Sequence, residues 1–184
     1  LIDAVIDYLP CPTDIPVAKG VSVKKDKEEE VDIPCDEKKM PLGLVFKISY
    51  DKDMGPLSFV RVYSGKFTTG SQVLNVGKKK RERINRILRV NANHMEQMDS
   101  VSAGDIAVFV GLKISQTGDT LGSEGFPILL ENVKFPEPVI SVAIEPESIS
   151  DKDKLNETLE IMSKEDPTFT SHEDAETGQL IISG

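Results

Sequence analysis

Between Met40 and Leu121 apolar positions recur at every second residue in short runs, and most runs end in a glycine turn. Leu42, Leu44, Phe46, Ile48 and Tyr50 alternate with Gly43, Val45, Lys47 and Ser49. Period two is the spacing of a strand with one buried side, so the first set is expected to face inward. Asp51-Lys52-Asp53-Met54-Gly55-Pro56 reads as a turn. Leu57 to Tyr63 reads as a second strand, closed by Ser64-Gly65. Val73, Leu74 and Val76 form a third between Gly70-Ser71 and Gly77. Over 81–90, Ile84, Leu88 and Val90 share one face with Arg86, while Arg83, Asn85 and Arg89 share the other with Ile87. One continuous strand with projecting arginines is the expectation there. Gly104-Asp105 precedes the apolar run Ile106 to Val110, and Gly118-Asp119 turns into Thr120-Leu121. Short strands at turn-punctuated intervals imply a small closed or nearly closed barrel.

The flanks read differently. Leu1, Val5, Tyr8 and Leu9 lie on one helical face, and Pro10 and Pro12 stop that helix. Residues 10–39 carry four prolines and the run Lys24-Lys25-Asp26-Lys27-Glu28-Glu29-Glu30, the composition of a solvated, mobile surface loop. After Pro136 and Pro138, Val139 to Ile144 reads as a strand. Leu155, Leu159 and Met162 stripe a helix that Ser150 and Asp153 can cap and Asp166-Pro167 ends. Thr168 to His172 and Gln179 to Ile182 form a hairpin around Asp174 to Gly178. A β-α-β-β order is the first part of a split βαβ sandwich. The chain is therefore expected to be a fragment, with apolar surface left open on this last unit.

Charge sharpens the picture. The chain of 184 residues has a net charge of −9, yet Lys78, Lys79, Lys80, Arg81, Arg83, Arg86 and Arg89 fall within twelve positions with Glu82 as the single acid. That local balance is 7 − 1 = +6, leaving −15 on the remainder. Cations brought against phosphates release counterions, so the cluster is a candidate RNA-contact face. The competing reading is an edge strand guarded by charge. No aromatic residue interleaves the cluster, which argues against stacking on single-stranded bases.

Other chemistry is not indicated. His94 and His172 have no ligand-spaced partners, so no metal site is expected. Cys11 and Cys35 fit neither a disulfide framework nor a zinc site. Gly65 and Gly70 have the glycine spacing of a phosphate loop, but Ser71-Gln72 follow where lysine and a hydroxyl are required. Asp119-Thr120-Leu121-Gly122 is read as a turn, and no catalytic residue is assigned. No apolar run is long enough to span a membrane.

Several ordered segments carry a resemblance. Leu1-Ile2-Asp3-Ala4-Val5-Ile6-Asp7-Tyr8-Leu9-Pro10, Phe59 to Gly65, Arg81-Glu82-Arg83-Ile84, Ala103 to Ile106 and Thr117 to Leu121 resemble the translation elongation factor G family. So do Phe135 to Val142, Glu165-Asp166-Pro167-Thr168-Phe169 and Glu176 to Gly184. The resemblance implies a mainly β chain with an α+β part: the family's domain II β-barrel followed by a partial ferredoxin-like βαββ domain III. It divides the chain into the end of a GTP-binding domain (1–20), a charged linker (21–39), the barrel (40–136) and the truncated domain III (137–184). The parent it implies is a ribosomal translocase, a GTPase using GTP and magnesium, with no nucleotide held by these residues. Implied partners are the small-subunit ribosomal RNA and the parent's own GTP-binding domain, with no membrane and no DNA. The implied setting is the cytoplasm, with the mitochondrial matrix as the alternative. Asp166, Thr168 and Phe169 become inter-domain interface candidates. A recycling or ribosome-protection paralogue and a stand-alone RNA-binding or adaptor barrel are the competing readings.

Overall fold

The computed structural model describes residues 1–24, 27–92, 94–130, 136, 138–146, 148–175 and 177–184. Lys25 and Asp26 of the charge run, Phe135 and Glu137 of the proline-rich junction, and Glu176 at the hairpin tip lie outside them. The chain opens with α1 (Ile2–Tyr8), exposed along its whole length. Leu9 ends it in extended backbone, as the following proline demands.

Within 10–39 the structure departs from the mobile-loop expectation. β1 (Ala18–Lys24) and β2 (Lys27–Ile33) run antiparallel, with Gly20 opposite Val31. Val21, Val23, Val31 and Ile33 sit at alternate positions, a period-two signal that the surrounding charges obscure. Ile33 is buried in a small cluster with Leu42, Ile128 and Leu130. Gly20 permits the close approach, since a Cβ there would lie 2.5 Å from the Ile128 side chain.

The barrel comprises β3 (Leu42–Asp51), β4 (Gly55–Ser64), β5 (Lys66–Thr68), β6 (Gln72–Asn75), β7 (Lys80–Arg83) and β8 (Arg86–Asn91). It continues with β9 (His94–Met98), β10 (Ser100–Ser102), β11 (Ile106–Val110) and β12 (Thr120–Gly122). β13 (Ile128–Leu130) then returns to pair with β1. Eight strands form one sheet in the order β7-β6-β12-β3-β4-β11-β8-β9, and β5 pairs with β10. The sheet curls around a common core that includes Val45, Val60, Phe67, Ile84, Ile87, Phe109, Leu112 and Leu121. Phe67 and Phe109 meet edge to face at 5.2 Å.

Two strand readings are corrected. In β3 the register shifts between Val45 and Lys47, so Val45 and Ile48 both point inward and Phe46 is exposed. A bulge inserts one residue and flips the alternation beyond it. Residues 81–90 are not one strand. The ladder breaks at Ile84-Asn85, where Ile84 bonds to Gly70 and Ser71 and Asn85 donates to the Val110 carbonyl. β7 and β8 therefore lie on different neighbours. Ile87 enters the barrel core, whereas Leu88 joins an outer cluster with Leu57, Val108 and Val110.

The C-terminal unit follows as β14 (Ser141–Ile144), α2 (Ile149–Glu165), β15 (Thr170–Glu173) and β16 (Leu180–Ser183). Its sheet order is β14-β16-β15, both pairs antiparallel. β14 and β15 are thus parallel and joined by α2, the split βαβ arrangement. The helix begins at Ser148, two residues before the expected cap, with the Ser148 hydroxyl donating to Asp151 at 2.5 Å. The outer edge of β14 is unpaired among the described residues, and Val139, Ile140 and Val142 are exposed beside it. The architecture is mainly β, a barrel followed by a partial ferredoxin-like βαββ unit.

Candidate nucleic-acid interface

The β6–β7 hairpin places the first five cations. Its register sets Asn75 opposite Lys80, Leu74 opposite Arg81, Val73 opposite Glu82 and Gln72 opposite Arg83. Val73 is core, so Glu82 points inward and Arg81 and Arg83 point out. Lys79 takes up φ +53 in the turn, a left-handed conformation uncommon for a residue with a Cβ.

The seven cations are not equivalent. Lys78 turns inward: its Nζ donates to the Ile114 carbonyl at 2.7 Å, Gln116 Oε1 at 2.9 Å and Asp119 Oδ2 at 2.8 Å. Arg81 pairs with Glu124, whose hydrogen bond and then charge raise the guanidinium pKa. Arg89 pairs with Asp105 at 3.1 Å, away from the hairpin. Among the described residues Lys79, Lys80, Arg83 and Arg86 make no salt bridge, and all four are exposed. The structure thus gathers Lys79, Lys80 and Arg83 on one hairpin with Arg86 just beyond its end. It turns Lys78, partly buried, onto the 111–119 segment.

Glu82 dilutes the charge in the sequence but serves the fold. Its buried carboxylate accepts the backbone N–H groups of Lys113 at 2.6 Å and Ile114 at 2.7 Å, and the Ser115 hydroxyl. Asp119 Oδ2 accepts from Asn75 Nδ2 at 2.8 Å and from the Gln116 N–H at 2.7 Å. Sequence reasoning missed these roles. The available signal was parity, because an acid opposite a core valine must find donors indoors.

The second candidate region is where α2 ends against the barrel. The Tyr50 N–H donates to Glu165 at 2.5 Å. A crevice of about 490 Å³ opens there between Phe46, Ser49 and Thr117 of the barrel and Asp166 and Pro167. A neighbouring one of about 350 Å³ lies between Gln116, Thr117, Pro167 and Phe169. Asp166 Oδ1 accepts both the Thr168 hydroxyl at 2.6 Å and the Thr168 N–H at 2.9 Å. Those bonds, the hydroxyl first, hold the carboxyl pKa below its ordinary value against a small opposing effect of burial. Pro167 and Phe169 therefore line the crevices, while the Asp166–Thr168 pair shapes the turn. Gln116 had no role in the sequence reading, and Tyr50, Thr117 and Glu165 entered it only as strand or resemblance residues, not as interface candidates.

Gly65, with φ +69, is packed against Pro41, and Gly70, at φ +83, is a turn glycine beside the Arg83 guanidinium. No group of three or more metal-ligating side chains occurs among the described residues. No helix among them is long and apolar enough to cross a membrane.

Comparison with known proteins then bears on identity. Residues 40–124 match the family model for elongation factor G domain 2, and residues 135–184 match that for elongation factor G, domain III. "Elongation factor G 1" of Treponema denticola is 67% identical over 184 residues, covering 100% of this chain and 27% of that protein. "Elongation factor G 2" of Treponema pallidum is 54% identical over the same 184 residues, again 100% and 27%. The chain thus spans about a quarter of the length of these curated relatives. A crystal structure from Thermus thermophilus superposes with a TM-score of 0.64 at 24% identity, covering 79% of this chain and 22% of that one, a likeness of fold. With both domain models matched in order along one chain, the chain belongs to the elongation factor G family.

Proposed function

We propose that this chain is the docking portion of a ribosomal translocase, a GTPase that promotes movement of tRNA and mRNA through the ribosome during elongation. The observation that carries the reading is the succession of the two domain matches, together with relatives named elongation factor G at 67% and 54% identity. GTP and magnesium belong to the parent's nucleotide site, and no step through them is assigned to these residues. The working setting is the cytoplasm. The mechanical role of the chain is to seat on small-subunit ribosomal RNA through the basic hairpin and to transmit position to the C-terminal unit across the α2 crevice.

The RNA-facing set is Lys79, Lys80, Arg83 and Arg86, whose charges are not neutralised by neighbours among the described residues and can each displace counterions from phosphate. Asp166, Thr168 and Phe169, beside the crevice, form the surface offered to the parent's GTP-binding domain. The test is co-sedimentation of the chain with purified small ribosomal subunits, competed by a full-length factor of the family. Saturable binding that the factor displaces supports the reading. Binding that competition leaves untouched overturns it and favours a stand-alone RNA-binding barrel.

A further inference from the structure

Two residues of the basic run do not face outward, and both reach the same loop. Residues 111–119 connect β11 to β12 and carry little regular structure. Such a loop needs partners for its backbone polar groups. Glu82 takes the N–H groups of Lys113 and Ile114 and the Ser115 hydroxyl. Lys78 takes the Ile114 carbonyl, the Gln116 side chain and the Asp119 carboxylate. Asn75, one turn back, holds Asp119 at 2.8 Å and reaches Ser115 at 3.3 Å. At the far end of the hairpin Asn85 lies over Gly111, where a Cβ would come within 2.5 Å of Asn85 Nδ2. The loop is therefore fastened to the β6–β7 hairpin along most of its length.

The same loop forms the barrel wall of the crevices. Gln116, which accepts from Lys78, faces Pro167 and Phe169 together with Thr117. Thr117 also lines the larger crevice, and its buried hydroxyl has no partner among the described residues. One loop is thus fastened to the base of the charged hairpin on one side and lines the crevices opposite the end of α2 on the other.

We propose that Lys78 and Glu82 are positioning residues that lock the basic hairpin to the 111–119 loop, so that the RNA-facing side and the crevice beside the C-terminal unit move as one body. The proposal rests on the reading of the hairpin as the RNA face. Lys78 contributes position rather than binding charge. A polyanion seated on Lys79, Lys80 and Arg83 bears through the clamp on Gln116 and Thr117, and so on Phe169.

The test is amide hydrogen exchange on the 184-residue chain, free and with purified small ribosomal subunits, for wild type, Lys78→Met, Lys78→Arg and Glu82→Gln. In the free chain, Lys78→Met is expected to speed exchange roughly tenfold at Gln116, Gly118 and Phe169, with Val62 in the barrel unchanged. Lys78→Arg and Glu82→Gln, which keep donors or acceptors in place, are expected to shift these amides less. With subunits bound, wild type is expected to gain protection at the hairpin, the loop and the Thr168–Phe169 turn, and Lys78→Met at the hairpin alone. Loop and turn amides that stay slow in free Lys78→Met, or protection that still spreads from hairpin to turn in that variant, overturn the proposal. If Val62 also accelerates, Gln116→Leu, which removes a single exposed partner of Lys78, replaces Lys78→Met in the same comparison. Failure of the RNA reading shows differently, as no protection at the hairpin in any chain, and the free-chain comparison then decides the clamp by itself.

Discussion

On the proposed RNA face four of the seven cations are without salt bridges among the described residues and three are engaged, so the salt dependence of binding to small ribosomal subunits is expected to divide accordingly. The perturbation is the triple change Lys80→Gln, Arg83→Gln and Arg86→Gln, all exposed residues without salt bridges among the described residues. Each cation neutralising a phosphate contributes about 0.7–0.9 to the slope of log affinity against log salt, so the triple change removes about 2–3 from that slope. Across a fourfold rise in salt, wild type should lose roughly 20–40 times more affinity than the variant. The contrasting double change, Arg81→Gln with Arg89→Gln, removes cations held by Glu124 and Asp105 and should lower the slope less for each residue replaced. The assay is anisotropy of the chain labelled at the exposed Cys11, titrated with small ribosomal subunits at several salt concentrations. Unfolding should change little in either variant, because exposed substitutions away from buried networks usually shift stability by no more than about 0.5 kcal/mol. Equal losses for each residue in the two variants would refute the division. An unchanged slope in the triple variant would mean that the basic hairpin is not an RNA face.

Three further outcomes test the fold and the crevice. Phe109→Ala removes a core ring packed on Phe67 and should cost about 3–5 kcal/mol in urea unfolding. Gly55→Ala and Gly65→Ala should part company although both glycines have positive φ. The first meets open space and should cost about 1–2 kcal/mol. The second puts a Cβ 2.4 Å from the Pro41 nitrogen and should cost more, read in the same urea titration. The depressed Asp166 carboxyl contributes stability above its ordinary pKa of 3.8 that is lost as pH falls from there through the folded value. The amides of Thr168 and Phe169 should shift in that acidic window in NMR spectra, and Thr168→Val should diminish the shift.

The barrel and the βαββ unit were legible because their signals are repetitive. Alternation and turn glycines locate β3, β4, β6 and β11 within a residue or two, and the Leu155–Leu159–Met162 stripe locates α2. What failed were local exceptions to a period. The bulge after Val45 swaps the buried face of β3, and no residue type at that point announces it. The break at Ile84-Asn85 is equally silent, because Ile84 is apolar whether it continues a ladder or ends one. β1 and β2 were obscured for another reason. Their charged side chains read as solvation, yet a small sheet completed by β13 needs only one apolar edge, here Ile33 against Ile128 and Leu130. The candidate site was legible as a charge count and illegible as geometry. Composition cannot distinguish Lys78, which turns inward, from Lys79, which does not.

That distinction bears on how a docking face works. A free hairpin carrying all seven cations would present more charge, but it would also lose more freedom on binding, since each long side chain immobilised at an interface costs about 0.5–1.5 kcal/mol. Here Lys78 is already ordered by three acceptors, and the single acid of the run is buried on three donors. The hairpin backbone is thus fixed in the free chain, and on the proposed RNA reading only the outward side chains would remain to be ordered on binding. The same fixation is what the proposed clamp would use to transmit. A flexible charged loop would absorb displacement at the proposed docking face, whereas a hairpin tied to the 111–119 loop would pass it to Gln116 and Thr117 at the wall of the crevice. On the proposed clamp, the residues that contribute least to the electrostatic field, Lys78 and Glu82, are the ones that would let a load on the outward cations reach the crevice.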